Sequence, residues 1–190
     1  MEPSHIGGLR LTPLAAAGGG ADFSIVTHIL PDFMQPQQQD NWCWAAVGTS
    51  VGVFFQTGAW TQCGTAAGCL PGGLDCCGDP GPCDVYGYLN TSLTYTKSFN
   101  QTIQGTYGAS DVEAQVNMGW PVCVRVAWNG GGAHFLAMSG YSYPDDDPSA
   151  VTLYLQDSIY GDSSMAFGDF PALYNGGGTW THTYLTQPNA

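Results

Sequence analysis

The period of the hydrophobic pattern changes near Trp120, and this change limits the folds open to the chain. Three segments before it carry apolar residues at helical spacing, and they span 42–55, 82–93 and 110–118. Four runs after it are rich in β-branched and aromatic residues and predict strands at 120–128, 135–143, 151–156 and 180–186. A further strand is expected at 23–30, before Pro31. Helices followed by a mostly antiparallel sheet are typical of the α+β class.

The length and composition fit one domain with a substantial core. The chain has 190 residues, of which 44% are hydrophobic. We expect a flexible leader at 1–21, which is rich in Pro, Gly and Ala, and a single domain at 22–190. Its helical half would span about 31–119 and its sheet half about 120–190. The leader lacks an evident signal peptide, and no stretch reaches the roughly 18 apolar residues of a membrane span.

The charge is strongly acidic, because three basic residues oppose fifteen acidic ones and the net charge is −12. Such a chain cannot neutralise phosphates, so nucleic acid and anionic membranes are excluded as partners. Long-range attraction would favour cationic substrates. Few charges and many small polar residues are more typical of exported than of cytosolic bacterial proteins. We expect a secreted or exported monomer.

Five of the seven cysteines lie between Cys63 and Cys83, among glycines and prolines. If Cys43 is a free thiol, the other six permit three disulfides in fifteen connectivities. If Cys123 instead stays a buried thiol on its strand, one more cysteine is unpaired. The adjacent Cys76 and Cys77 should bond to different partners, because a bridge between them strains the backbone. The spacings lack a paired Cys-x2-Cys knuckle, so we favour disulfides, and an oxidising compartment, over zinc.

Cys43 lies between two tryptophans, in the first turn of a helix expected from Trp42 or Cys43 to about Phe55. The positive end of the helix dipole stabilises a thiolate, which is the attacking form of cysteine. A buried thiol or half of a disulfide is the more frequent fate of a cysteine, so partner groups must decide the matter.

Partner groups occur later in the chain. His134 follows the glycines at 130–132 and begins a strand, where a base is both rigid and accessible. Asp157 ends the next strand, and a hairpin through the turn at 144–148 would let it accept the Nδ1–H of His134. Asp162 is the alternative orienting group. Nucleophile, base and acid therefore occur in the kinds that thiol catalysis requires.

An oxyanion donor is also available on the loop before the helix. Gln37 lies six residues before Cys43, and its carboxamide could donate together with the backbone N–H of Cys43. Three other glutamines compete for this role, and they are Gln35, Gln38 and Gln39.

The pattern Gln37-x5-Cys43-Trp44-Ala45 resembles the motif around the nucleophile of papain-like cysteine proteases. The version Trp-Cys-Trp-Ala-Ala, with Gln62-Cys63 and Asp75-Cys76-Cys77-Gly78 after it, is more similar to a compact bacterial branch. That branch includes effector proteases delivered by plant pathogens and has the order Cys, His, Asp. The resemblance covers roughly 33–186.

The resemblance implies a papain-like fold whose helical half carries the nucleophile and whose antiparallel sheet half carries His and Asp. It further implies a cysteine peptidase that hydrolyses peptide bonds without cofactor or metal. Cys43 would attack, His134 would act as the base, Asp157 would orient His134, and Gln37 would hold the oxyanion. As a tryptophan does in papain relatives, Trp180 would cover the His–Asp pair, although a core position is an equal alternative.

Two other classes stay open from the residues alone. The same acyl-enzyme could be resolved by an amine, as in a transpeptidase or a phytochelatin-synthase-like enzyme, or could arise from side-chain amides in a deamidase. Alternatively the chain could be a disulfide-rich binding module without catalysis.

Overall fold

The structure is a computed structural model, and it describes residues 24–189. Four α-helices occur in these residues: α1 (Cys43–Phe54), α2 (Gln62–Cys69), α3 (Leu89–Tyr95) and α4 (Ala109–Asn117). Seven strands form one sheet: β1 (Ile25–Ile29), β2 (Phe99–Gln104), β3 (Val122–Trp128), β4 (Ala133–Pro144), β5 (Thr152–Gln156), β6 (Ser163–Ala166) and β7 (Gly178–Thr186). The predicted α+β class is confirmed.

The sheet has the strand order β2-β7-β3-β4-β5-β6, and every pairing is antiparallel. The first half of β4 pairs with β3 and its second half with β1. β4 and β5 form the predicted hairpin, which brings the start of β4 toward the end of β5. The sheet therefore presents residues from these two ends at one place.

Two buried clusters use opposite faces of the central strands, as the alternation of side chains along a strand requires. On β3, Val122, Val124 and Val126 belong to one cluster, which α4 covers with its own valines. Cys123 belongs to the other cluster, which contains the apolar residues of α1. The helix that begins with Cys43 is thus packed directly on the sheet.

Two glycines bring α1 close to α3. A Cβ at Gly48 would lie 2.4 Å from Ser92 Oγ, and one at Gly52 would lie 2.7 Å from Thr96 Cβ. The two hydroxyls donate to backbone carbonyls of α1, Ser92 Oγ to Trp44 at 2.8 Å and Thr96 Oγ1 to Gly48 at 3.0 Å. The close approach of the two helices and these hydrogen bonds fix the position of α1 relative to α3.

The helix predicted at 82–93 is wrong over its first half. A short 3₁₀ turn at Gly81–Cys83 is followed by irregular chain, and α3 begins only at Leu89. Gly87 explains the interruption, because a Cβ there would lie 2.3 Å from an atom of the Trp44 ring. Tertiary contact with α1 therefore overrides the apolar periodicity of this segment.

Other elements differ from the sequence pattern in smaller ways. Ser110 and Glu113 have the spacing of a capping box, yet α4 begins at Ala109 and Gly108 caps it without a side-chain bond. The sequence pattern predicts none of the elements α2, β2 and β6. The Gly- and Thr-containing α2 is a weak helix former on its own, but Thr61 caps it by accepting from the N–H of Gly64 at 3.1 Å.

Two disulfides are present, Cys63–Cys77 and Cys76–Cys83. The adjacent cysteines bond to different partners, as predicted, and the three bridges that six cysteines would permit are not formed. Cys43, Cys69 and Cys123 are free thiols, and Cys123 is fully buried. The alternative with a buried Cys123 and one unpaired loop cysteine is therefore the one observed.

Within residues 24–189, no helix is both long enough and apolar enough to cross a membrane. The predicted leader at 1–21 lies outside the described residues.

Candidate active site

Cys43 is the first residue of α1, and its helix end carries no side-chain cap. The cysteine is largely buried, with 8% of its surface exposed. The unpaired N–H groups of a first turn, together with the helix dipole, favour negative charge at this position. The local structure therefore offers both a thiol and donors for an anion.

The indoles of both flanking tryptophans are hydrogen-bonded to the segment at the end of the Cys76–Cys83 disulfide loop. The indole N–H of Trp42 donates to the carbonyl of Cys83 at 2.7 Å, and that of Trp44 donates to the carbonyl of Val85 at 3.0 Å. Next to them, the backbone N–H of Asn41 donates to Asp84 Oδ1 at 2.8 Å. The disulfide loop thus holds the start of α1 in place.

Two buried glutamines hold the loop that leads into α1. Gln156 Oε1 accepts from the N–H groups of Phe33 and Met34 at 3.0 and 3.1 Å. Gln62 accepts from the N–H of Gln38 at 2.9 Å and donates to the carbonyl of Pro36 at the same distance. These bonds satisfy the buried backbone of an irregular segment.

Gln37 lies on this loop with its carboxamide turned toward the loop itself. Its Nε2 donates to the carbonyls of Gln39 and Asp40, both at 2.8 Å, and its Oε1 accepts from Ser158 Oγ at 3.3 Å. Both amide hydrogens are therefore in use. As an oxyanion donor, Gln37 would have to exchange one of these carbonyls for the oxyanion.

The imidazole of His134 and the carboxylate of Asp157 form a buried pair. His134 Nε2 lies 2.8 Å from Asp157 Oδ1, with 3% and 0% of the two side chains exposed. The hairpin of β4 and β5 brings them together, as predicted, but the predicted atom is wrong. The carboxylate of Asp157 lies at the Nε2 edge of the ring, so Nδ1 is the ring nitrogen that remains for other contacts.

Cys43 and His134 line one cavity of about 240 Å³, together with the glycines before β4. Burial lowers the pKa of His134, but the hydrogen bonds and charges of Asp157 and Cys43 outweigh it and raise the pKa to about 9. At neutral pH the ring is therefore a cation placed between a carboxylate and a thiol. A cationic imidazole and a thiol therefore share one cavity, as nucleophilic thiol catalysis requires.

Asp157 is held by more donors than His134 alone. Its Oδ1 also accepts from the N–H groups of Ile159 and Tyr160 at 2.7 and 3.0 Å, and its Oδ2 accepts from the hydroxyl of Tyr174 at 2.8 Å. Burial raises the pKa of Asp157, whereas the bonds from His134 and the two backbone groups lower it by more, so the net pKa is lowered. The carboxylate stays charged and oriented.

Tyr174 is a member of the site that sequence reasoning missed. Burial and the charge of Asp157 raise its pKa well above the ordinary value, so it remains a hydroxyl donor. It lies in a turn after β6, where no periodic pattern marks it. Its only sequence signal is its place between Pro171 and the glycines 176–178.

The aromatic cover of His134 comes from Trp128 and Tyr160. The Trp128 ring stacks on His134 with centroids 6.1 Å apart, and Tyr160 meets it edge-on at 5.9 Å. Of the two alternatives for Trp180, a cover over the His–Asp pair and a core position, the structure has the core position, with Phe167 and Phe170 against its ring. Val126 of β3 is the cross-strand partner of both Trp180 and His134, so one strand separates these two residues.

Asp162, the alternative orienting group, is exposed and makes no side-chain hydrogen bond within the described part of the chain. No cluster of three or more metal-binding side chains occurs in residues 24–189. The site therefore consists of a thiol, an imidazole and a carboxylate with their supporting donors. This set can activate a nucleophile and transfer its proton.

No protein-family model matches the chain, and no curated protein matches its sequence.

Proposed function

We propose that the protein is a cysteine hydrolase that cleaves peptide bonds. The observation that carries this proposal is the shared environment of Cys43, His134 and Asp157, in which the imidazole is bonded to the carboxylate and lines one cavity with the thiol. Three such groups from separate segments are what nucleophilic thiol catalysis needs. Within this class, the resemblance around Cys43 favours a papain-like peptidase of the compact bacterial branch.

The reaction begins when Cys43 Sγ attacks the carbonyl carbon of the scissile amide. The thiol proton already resides on His134 before the attack, and the imidazolium gives a proton to the leaving amine as the C–N bond breaks. Water, deprotonated by the same imidazole, hydrolyses the thioester and frees Cys43. Asp157 orients the ring through Nε2 and stabilises its positive charge, so Nδ1 is the atom that exchanges the proton.

The tetrahedral oxyanion is stabilised at the start of α1. The backbone N–H of Cys43 points out of an uncapped first turn, where charge is favoured by the helix dipole. Gln37 supplies the second donor when one of its amide hydrogens leaves the carbonyl of Gln39 or Asp40. Loss of one oxyanion donor lowers the rate by about 10²-fold.

Export is part of the same proposal. Two disulfides fit an oxidising compartment, and the chain would act there with Cys43 kept as a thiol.

The test is cleavage of a peptide library, with products identified by mass spectrometry. We expect wild type to release peptides with free carboxyl ends, Cys43→Ala to lose at least 10³-fold in rate, and Cys69→Ala to retain the wild-type rate. Cys69 is the matched control because it is also a free thiol. Transfer to amines or loss of ammonia in place of hydrolysis would contradict the proposed reaction.

A labelling experiment checks the thiol directly. At mildly acidic pH, one equivalent of iodoacetamide should modify Cys43 and no other cysteine. Burial raises the pKa of Cys69 to about 11 and that of Cys123 further, so neither forms thiolate there. An unlabelled Cys43 in folded protein would argue against catalysis.

A further inference from the structure

A cleft of about 610 Å³ also adjoins Cys43, and His134 lines the smaller cavity but not this cleft. Its wall is largely aromatic, with Tyr86, Tyr88, Phe135 and Tyr184 among the lining residues. In the proposed reaction His134 must reach the leaving amine, so the leaving part of a substrate lies on the His134 side. The larger cleft is then the place for the acyl part, which stays on Cys43.

Arg125 is the one positively charged side chain that lines this cleft. It lies on β3 beside Phe135 of β4 and His182 of β7, on the strand face that turns toward the cleft. Its Nη1 donates to Thr181 Oγ1 at 2.9 Å. The remaining guanidinium donors have no side-chain acceptor within residues 24–189, and Arg125 has no carboxylate partner there.

An unpaired, half-buried arginine is unusual in a chain with fifteen acidic residues. A guanidinium offers a planar fork of five N–H donors that matches a carboxylate. Its positive field is also felt by its neighbours: burial, and then the charge of Arg125, lower the pKa of His182. No carboxylate is among the residues that line the cleft.

We propose that Arg125 binds a carboxylate on the acyl side of the substrate. This inference rests on the proposed peptidase function for the position of the acyl part, and it adds a substrate class to it. The carboxylate belongs to an acidic side chain, and the experiment distinguishes it from the α-carboxylate that hydrolysis leaves at the end of the acyl product. The aromatic wall would hold the carbon chain that carries it.

Binding is tested without catalysis, in Cys43→Ala protein, by following the ring signals of His182 in NMR titrations. Three probes differ only in the position of a carboxylate. N-acetylglutamic acid α-amide has it on the side chain, N-acetylglutamine has it at the chain end, and N-acetylglutamine α-amide has none. We expect N-acetylglutamic acid α-amide to bind about tenfold more tightly than the other two probes, because its side-chain carboxylate forms a charge-assisted bidentate bond. Tighter binding of N-acetylglutamine would contradict the side-chain source.

Variants decide whether Arg125 is responsible. Arg125→Gln should abolish the preference, and Arg125→Lys should keep part of it, because the charge remains but the fork is lost. Lys97→Gln, which removes an exposed charge far from this cleft, should leave it unchanged. Equal binding of all three probes, or a preference that survives in Arg125→Gln, would overturn the proposal.

A cleavage profile then connects the cleft to the reaction. Wild type and Lys97→Gln should favour an acidic residue on the acyl side of the cut by about tenfold, and Arg125→Gln should not. If the probes bind as expected but no peptide is cleaved, the peptidase proposal fails while the carboxylate site stands. If peptides are cleaved without acidic preference and the probes bind alike, only the carboxylate site fails.

Discussion

Asp157 has donors on both oxygens, and this is the residue-scale feature on which the site depends. A buried carboxylate is costly unless it is hydrogen-bonded, and here one imidazole, two backbone groups and one phenol supply the bonds. The anion in turn keeps His134 protonated. For His134 this coupling adds stability to the fold below its unfolded pKa, which is lost as the pH rises through about 9.

The same coupling predicts the alkaline limb of the pH–rate profile. In wild type kcat/KM should fall as the pH rises through about 9, because His134 loses its proton there. Asp157→Asn removes one of the two groups that raise this pKa and leaves Cys43 and the burial that lowers it, so the limb should move to lower pH. The rate at neutral pH should fall by about 10²-fold.

Asp162→Asn is the control for that experiment, since it removes an exposed acid five residues away. Its profile should match wild type. NMR titration of the His134 ring gives the pKa without an activity measurement, and an unmoved pKa in Asp157→Asn would contradict the electrostatic explanation.

Three members of the site could be predicted from sequence because each stands at the end of an element. Cys43 begins a helix, His134 lies at the start of a strand, and Asp157 follows one, so period changes mark all three. Trp128 and Tyr174 could not be predicted, because the packing of β3 and of the turn after β6 onto His134 is tertiary. For the same reason the ring atom facing Asp157 could not be foreseen.

At the scale of elements, the disulfide loop and the start of α1 act as one unit. The Cys76–Cys83 bridge closes a loop, and the carbonyls of Cys83 and Val85 at its end accept the indole N–H groups of Trp42 and Trp44. The Cys63–Cys77 bridge attaches α2 to this segment and makes no contact of this kind with α1. The two bridges should therefore differ in function more than in stability.

This difference is tested with two double variants, Cys76→Ala/Cys83→Ala and Cys63→Ala/Cys77→Ala. Each should lower the free energy of unfolding by about 2–3 kcal/mol, as expected for short closed loops. Only the first should also lower kcat/KM, by about tenfold, since it frees the carbonyls that fix Trp42 and Trp44. Urea unfolding and peptide cleavage measure the two effects. Equal activity of the two variants would contradict the role of the loop.

The element pattern was predictable where periodicity and packing agree. The four strands after Trp120 and α1 all occur close to their expected bounds, because each has an uninterrupted apolar pattern. The segment 82–93 failed because Gly87 must approach Trp44, a contact absent from any local pattern. β2 and β6 are short edge strands with mostly polar, exposed residues, and such strands carry little apolar signal.

At the scale of the whole molecule, the charge of −12 acts over long distances. It should attract basic peptides toward the protein, while Arg125 acts only inside its cleft. A good substrate would then combine a carboxylate at the cleft with basic residues further along. The two effects operate at different ranges and can be separated by salt.

Ionic strength provides that separation. Between about 0.01 and 0.5 M salt, kcat/KM for a peptide with basic flanks should fall about tenfold, because screening shortens the reach of the negative field. A peptide of the same sequence with neutral flanks should change little. Stopped-assay rates for the two peptides give the comparison, and a parallel decline would refute long-range attraction.

The hairpin of β4 and β5 has a consequence for the order in which this molecule matures. His134 and Asp157 are joined by a short stretch of chain and meet as soon as two adjacent strands pair. The sulfur belongs to a distant part of the polypeptide, and we expect its helix to take its final place only after the cystine loop has formed its bonds to both indoles. A partly folded molecule should then have the His–Asp pair before the thiol is in position, so that chemical competence is the last property it acquires.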